Sequence, residues 1–240
     1  MRAIRAVSSA AVMVLAAACG IGGSASYEQS HTAQQIVADA SRSTGSATSF
    51  HMAVEVTTAE GPAGADFDVE GANVKGKLHS QGVTVRIVHV DPQTFVYGAD
   101  LAELLAPTSP QASAIVKAKA ADRWVLMPSS FWSSTNIPDI IDLKTISNCL
   151  KTAAGLSKKG TSTVSGQQVV EIDDQLLGKM YVQAAAPHYF LRVDLQGVDT
   201  CVTDQSVTHE RFDLTNVGKK VGITAPSDYV DLRTLAGGPP

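Results

Sequence analysis

Alternation of apolar and polar side chains runs through most of this chain, and it constrains the fold more than any other feature. The segment FHMAVEVT places Phe50, Met52 and Val54 on one side and His51 and Glu55 on the other. This period of two predicts a half-buried strand in an antiparallel sheet that has one apolar face and one solvent face. Eleven further segments are candidates for such strands, and about ten to eleven strands are predicted in all; the segments are ADFDVEG, VKGKLHS, GVTVRIVHV, TFVYG, DRWVLMP, GTSTVS, QQVVEID, KMYVQA, HYFLRVDL, SVTHERFDL and KKVGIT.

Four helices are predicted beside these strands. Thr32 is a candidate N-cap for a helix that should end near Gly45. Two short helices are expected over residues 100–106 and 110–120, and the longest over residues 138–154. The apolar stripe of the longest helix consists of Ile137, Ile140, Ile141, Leu143, Ile146 and Leu150. Sheet and helices must bury their apolar faces against each other, so the expected fold class is α+β.

The N-terminus has the pattern of an export signal. Arg2 and Arg5 precede an apolar run that is too short to span a membrane and that ends in Ala-Ala-Ala before Cys19. Residues 1–18 are therefore predicted to be a signal peptide. The segment AAACG resembles the lipobox of bacterial lipoproteins, which implies a diacylglyceryl group on Cys19, although Ala16 occupies the place where a leucine is usual. The alternative is a plain secretory signal that leaves a free thiol.

The other two cysteines form the remaining pair once Cys19 carries lipid. An exported chain reaches an oxidising compartment, so we predict a disulfide between Cys149 and Cys201. Such a bridge closes a long loop and would stabilise the fold by about 4 kcal/mol on the chain-entropy model. Two buried free thiols are the alternative.

Composition excludes several classes of function. Removal of the signal peptide takes two arginines from 19 basic residues and leaves all 23 acidic residues, so the mature chain is acidic and offers no basic patch for nucleic acid. The common motifs of hydrolases, metalloproteases and nucleotide-binding proteins are absent from the sequence. The six histidines are scattered and fit a solvated surface better than a metal site. The sequence thus predicts a protein without a catalytic site, a metal or a cofactor.

The domain organisation is simple. Residues 19–31 are small and polar, which predicts a lipidated flexible tether. Residues 32–235 are expected to form a single domain, and residues 236–240 a disordered tail.

The whole mature chain resembles the actinobacterial lipoproteins of the LppX/LprA/LprF/LprG family and, more remotely, the LolA-like lipoprotein carriers. The segments that carry the resemblance are AAACG, SFHMAVEV, GADFDVEGANVKGKL, TFVYG, DRWVLMP, KMYVQAAAPHYFLRVD and ITAPSDYVDL. The resemblance implies a bent antiparallel half-barrel, roofed by helices on its concave face, with an apolar cavity for acylated lipids or lipoglycans. It also implies anchoring on the outer face of the cell membrane, with an envelope transporter as a further partner.

The candidates for the cavity lining are strand residues whose side chains are expected to point toward the helices, together with residues of the longest helix. They are Met52, Val54, Phe67, Val85, Ile87, Ile141, Met180, Val182 and Leu191. Small inward residues, with Gly76 among them, leave room for a cavity, although they also suit close packing of helices. A tightly packed lipoprotein that binds another envelope protein through its surface is therefore the alternative function.

Overall fold

The computed structural model describes residues 23–196, 207–235 and 237, and one large sheet dominates this part of the chain. The twelve strands are β1 (Ser49–Thr58), β2 (Gly61–Glu70), β3 (Asn73–Ser80), β4 (Val83–Val90), β5 (Gln93–Tyr97), β6 (Trp124–Leu126), β7 (Ser157–Val164), β8 (Gln167–Asp174), β9 (Gly178–Gln183), β10 (Phe190–Gln196), β11 (Val207–Thr215) and β12 (Tyr229–Asp231). Their order across the sheet is β12-β6-β5-β4-β3-β2-β1-β11-β10-β9-β8-β7. Neighbours are antiparallel, except that β12 runs parallel to β6. The predicted α+β class with an open antiparallel sheet is confirmed, with slightly more strands than expected.

The region after β11 differs from the prediction, because the segment KKVGIT is irregular rather than a strand. The backbone N–H groups of Val221 and Gly222 donate to the Glu70 carboxylate at 3.2 and 2.8 Å instead of to a neighbouring strand. Gly222 has a φ of 72°, which lies outside strand conformations. The last strand forms later in the chain, where Val230 lies opposite Val125 of β6.

Helices fill the connections between the strands. Those described are α1 (Gly23–Ser30), α2 (Ala33–Gly45), α3 (Gly98–Leu105), α4 (Pro110–Ala120), α5 (Ser130–Ser133), α6 (Ile137–Ile140), α7 (Leu143–Lys151) and α8 (Leu232–Leu235). Helix α2 begins where it was predicted to begin, since the Thr32 hydroxyl accepts from the backbone N–H of Gln35 at 3.2 Å and the Gln35 side chain accepts from the N–H of Thr32 at 2.8 Å.

The predicted long helix over residues 138–154 is wrong, because the structure breaks it into α6 and α7. Asp142 lies between the two pieces, and its carboxylate accepts from the backbone N–H groups of Lys144 and Thr145 at 3.0 and 3.2 Å. An aspartate that caps a helix in this way starts a new helix instead of continuing the old one. The apolar stripe therefore belongs to two short helices that meet the sheet separately.

The predicted flexible tether is also wrong over the residues that the structure describes, where residues 23–30 form helix α1. Tyr27 stacks on His188 with ring centres 3.8 Å apart. The Lys158 ammonium donates to the carbonyl oxygens of Glu28 and His31 at 2.5 and 2.8 Å. These contacts hold the end of α1 against the folded domain, and sequence composition alone does not reveal them.

One face of the sheet is covered by helices, and we call it the covered face; it carries Met52, Phe67 and Ile87. Helices α2 and α7 pack on each other, and α2 also contacts β9 and β10. Helices α3 and α4 pack together beside β4 and β5, where a Cβ on Gly98 would collide with the carbonyl oxygen of Ala120. Burial of the covered face against these helices forms the main apolar core.

The opposite face, the outer face, carries most of the charged side chains of the central strands. Asp213 binds Arg192 at 2.6 Å and Arg211 at 2.8 Å. His51 pairs with Asp68 at 3.0 Å on the same face. The division into one apolar and one charged face is what the alternating sequence predicts.

Candidate functional site

Eight of the nine predicted cavity residues belong to one region of the structure, the covered face and its helical roof. The fully buried members are Met52, Val54, Phe67, Ile87, Met180 and Val182. Val85 and Ile141 are half-buried and pack against the same cluster. The alternation in sequence therefore identified side chains that share one face.

Leu191 is the exception, and the prediction that it faces the same core is wrong. It packs in a separate cluster with Val164 and Val169. The cause is a bulge in β10: Phe190 lies opposite Val182, but the register shifts before Arg192, so the parity of the strand changes at this point. Phe190 and Val193 face the main core in place of Leu191.

The covered face is tightly packed at its centre. Met52, Phe67 and Ile87 lie in adjacent strands on one transverse row that includes Gly76. A Cβ on Gly76 would lie 2.0 Å from the carbonyl oxygen of Asp66 and 2.7 Å from the Phe67 ring, so the neighbouring strand occupies the space beside this glycine. Gly76 is thus a site of close ring packing and not an opening.

A small void lies between helices α2 and α7 and the sheet. Its volume is about 10 Å³, which is close to the minimum for one water molecule. The void is lined by apolar side chains from both layers, namely Met52, Leu143, Ile146, Leu150, Phe190, Val193, Phe212 and Leu214. Helix α7 is closed onto the sheet here, so an acyl chain could enter only if this helix moved.

Two hydroxyl groups also border this void. Thr44 Oγ1 accepts from the backbone N–H of Phe190 at 3.0 Å. The Ser147 hydroxyl is buried and has no hydrogen-bond partner among the described residues. The walls are therefore apolar apart from two small polar groups on the helical side.

The covered face approaches solvent at one end of its strands. We call this end the apolar rim, and it consists of Val56, Leu78 and Val85. Leu78 lies directly opposite Val85, and all three side chains are half-buried although they point to the covered face. Half-buried Phe131, Trp132, Ile140 and Ile141 of the helical roof pack against the same core. Apolar side chains that are only half covered mark the most accessible part of the core.

Glu210 lies beside the apolar rim and is not among the site residues predicted from the sequence. It shares the inward parity of β11 with Phe212 and Leu214 and is only 1% exposed. Its Oε2 atom has no hydrogen-bond partner among the described residues. Burial raises the pKa of this carboxyl group from 4.5 to about 7. The sequence feature that could have identified Glu210 is an acidic residue at a position where the alternation of the strand calls for an apolar one.

His89 is a second polar residue on the covered face, far from Glu210. Its Nδ1 lies 2.8 Å from the hydroxyl of Thr94, and its ring stacks on Trp132 at 3.9 Å. Burial lowers the pKa of His89, so the neutral ring is favoured. The expectation of a solvated surface histidine is wrong here, and His89 instead supports helix α5.

Within residues 23–196 and 207–235, no group of three or more His, Cys, Asp or Glu side chains is placed to hold a metal ion. The contact of His209 with Asp194, at 2.7 Å, lies on the outer face beside other charged side chains. None of the helices described is both long and apolar enough to cross a membrane.

The predicted cysteine chemistry falls largely outside the described residues. Cys149 lies on α7, whereas Cys19 and Cys201 are both in the segments that are not described. Lipidation of Cys19 and the disulfide between Cys149 and Cys201 therefore stay predictions, as does the signal peptide.

Solved structures provide the comparison for the fold. LprF from Mycobacterium bovis matches with a TM-score of 0.55 and 16% identity, over 81% of this chain and 96% of that one. The lipoprotein LppX from Mycobacterium tuberculosis matches with a TM-score of 0.47 and 13% identity, over 80% of this chain and 98% of that one. No protein-family model and no curated protein sequence matches the chain. The likeness to LprF confirms the predicted fold, and at this identity it concerns the fold alone.

Proposed function

We propose that this chain is an exported, lipid-anchored protein that binds acylated lipids or lipoglycans between the covered face and its helical roof, and that it carries or presents them in the cell envelope. The observation that carries the proposal is the continuous apolar surface that runs from the buried centre of the covered face to the half-buried apolar rim. The fold that this chain shares with LprF supports it.

Binding by this surface requires the roof to open. The void under α7 is only about 10 Å³, so α7 lies closed on the sheet at this place. Opening exposes apolar side chains to water, and an acyl chain that takes their place restores the burial. Each methylene group that leaves water contributes roughly 0.8 kcal/mol, so a long chain offsets the cost of opening without any polar chemistry. Affinity is then expected to rise with chain length.

The N-terminal segment supplies the membrane attachment in this proposal. A diacylglyceryl group and a further acyl chain on Cys19 would suffice for stable anchoring on the outer face of the membrane. The disulfide between Cys149 and Cys201 would tie α7 to the connection between β10 and β11. An envelope transporter that delivers or receives the lipid is the expected protein partner.

The test is uptake of a fluorescent long-chain fatty acid by delipidated Cys19→Ala protein. We expect saturable binding that is displaced by unlabelled acyl lipids and that strengthens from twelve to sixteen carbons. Absence of saturable uptake by folded protein would contradict the proposal.

A tightly packed interaction lipoprotein is the second candidate, and the close packing around Phe67 and Gly76 favours it. In that case the covered face is an ordinary core, and the functional surface lies elsewhere. A shallow outer pocket of about 460 Å³ beside Pro187 and Tyr189 is one surface available to a partner. Folded protein that takes up no lipid would identify this second function as the better one.

A further inference from the structure

Glu210 occupies a position where an acidic side chain is costly. Its direct cross-strand neighbours are Val56 on β1 and Leu195 on β10, both apolar. No ion pair with a basic side chain within 4.0 Å is found for Glu210 among the described residues. A buried polar atom without a partner costs about 1–3 kcal/mol, so this oxygen is a cost to the folded protein.

Asp174 shows how the same sheet satisfies a buried carboxylate when the role is structural. Asp174 is 3% exposed and lies on the same transverse row as Glu210, two strands beyond Leu195. It accepts from the backbone N–H groups of Leu176, Leu177 and Gly155 at 2.8, 2.9 and 3.0 Å. The first two contacts fix the turn after β8, and the third ties the segment before β7 to the end of β8. The unpaired oxygen of Glu210 has no comparable structural use.

We infer that Glu210 is the polar contact of the lipid site and that its carboxyl group binds a free hydroxyl of a partially acylated glycerol or sugar. The inference rests on the proposed function and adds to it the residue that recognises the polar part of the ligand. The acyl chain would lie along the apolar rim while the hydroxyl group pairs with Glu210.

The dimensions of the sheet agree with this arrangement. Val56 is the immediate neighbour of Glu210, and Leu78 and Val85 lie two and three strands further along the sheet. At a strand spacing of about 4.8 Å, Glu210 and Val85 are about 19 Å apart across the sheet and are offset by two residues along the strands, a separation of the order of a long extended acyl chain. One ligand can therefore reach the carboxyl group and cover the apolar rim.

A hydroxyl group fits Glu210 better than an ammonium group does. A hydroxyl both donates and accepts, so it can pair with the carboxylate or with the protonated acid. An ammonium headgroup would have to give up its hydration between Val56 and Leu195, and burial of an ion pair in apolar surroundings carries a large desolvation cost. The apolar neighbours thus favour a neutral lipid with a free hydroxyl.

The experiment compares two probes that differ only at this hydroxyl: dioleoylglycerol and its methyl ether. Binding of each probe to delipidated Cys19→Ala protein is measured with Glu210 present and with Glu210→Leu. We expect the protein with Glu210 to prefer dioleoylglycerol by about tenfold, and we expect Glu210→Leu to bind both probes equally. Thermal unfolding of Glu210→Leu shows that the variant is folded, and Glu210→Gln, whose amide also pairs with a hydroxyl, should keep part of the preference.

The outcomes distinguish failure of the proposed role of Glu210 from failure of the proposed lipid binding. Equal binding of both probes by the protein with Glu210, or a preference that survives in Glu210→Leu, overturns the role of Glu210 and leaves lipid binding intact. Failure of the folded protein to bind either probe overturns both the role of Glu210 and the proposed function.

Discussion

Glu210 of β11 and Val56 of β1 lie directly opposite each other on the covered face, so a carboxyl group whose Oε2 atom has no hydrogen-bond partner among the described residues adjoins the half-buried apolar rim. This pair places a polar group beside an apolar surface at the most accessible end of the core. A lipid with one polar group and a long chain matches this arrangement, whereas an ordinary packed core has no use for the carboxyl group.

Glu210 is expected to make stability fall as the pH rises. Its pKa is about 7 in the folded state and near 4.5 when exposed, so the folded protein holds the proton more tightly than the unfolded chain does. This contribution to stability is full below pH 4.5 and is lost as the pH rises through about 7, by about 3 kcal/mol in total. Unfolding of the wild type and of Glu210→Gln by urea, from pH 4.5 to 8, should therefore differ in slope.

The matched control for this titration is Glu55→Gln, which alters an exposed glutamate on the neighbouring strand β1. We expect its stability profile to run parallel to that of the wild type. Parallel profiles for Glu210→Gln and the wild type would show that Glu210 is not buried in solution.

Val85→Gln is expected to weaken acyl-lipid binding more than it weakens folding. The side chain lies on the apolar rim and is half-buried, so in the lipid-free protein the amide keeps access to water. A bound acyl chain would cover the amide and leave it without a hydrogen-bond partner. The control is Val90→Gln, which changes a half-buried valine of the same strand on the outer face. Fluorescent fatty-acid titration and thermal unfolding of both variants make the comparison. Equal loss of binding in the two variants would argue against the apolar rim as the lipid site.

Asp174→Ala should destabilise the protein by about 2–3 kcal/mol, because it leaves the backbone N–H groups of Leu176 and Leu177 in the β8–β9 turn, and that of Gly155 before β7, without their acceptor. Burial raises the pKa of Asp174, but the hydrogen bonds from Leu177, Leu176 and Gly155 outweigh it and lower the pKa below the ordinary value. Its stabilising contribution is thus present above pH 3.8 and is lost as the pH falls further.

The comparison for Asp174 is its neighbour Asp173, which makes a surface contact with Lys159 at 3.4 Å. Asp173→Ala should cost less than about 1 kcal/mol in urea unfolding at pH 7. A similar loss for both variants would mean that the turn does not depend on Asp174.

Cys19→Ala should move the protein from the membrane to the soluble fraction of exported material. The expectation follows from the charged N-terminus, the short apolar run and the small residues before Cys19. Fractionation followed by immunoblotting measures the distribution, with Cys149→Ala as the control that retains the anchor. A Cys19→Ala protein that stays in the membrane fraction would contradict the anchor.

The sheet was predictable because the covered and outer faces carry different side chains. Met52, Phe67 and Met180 occupy the parity that the sequence assigned to them. Leu191 was misplaced because a bulge of one residue reverses the parity of β10, and the alternating sequence is compatible with either register. The long helix was wrongly predicted because apolar residues continue at helical spacing on both sides of Asp142. The hydrogen bonds by which Asp142 caps a new helix depend on the local backbone, which this spacing does not reveal.

Features that depend on contacts between distant segments could not be read from the sequence. The end of α1 is held by Lys158, which is more than a hundred residues away. The space at Gly76 is filled by a ring from the neighbouring strand. Glu210 was detectable in principle, since it shares the parity of Phe212, but its lack of a partner appears only in the structure.

A native mass spectrum of the non-acylated Cys19→Ala protein, purified from the exported fraction without detergent, tests lipid binding most directly. We expect a second series of peaks, heavier than the polypeptide by the mass of an acylated lipid, that disappears after delipidation and returns on addition of dioleoylglycerol. A single series at the mass of the polypeptide, before and after addition of the lipid to folded protein, would contradict lipid binding.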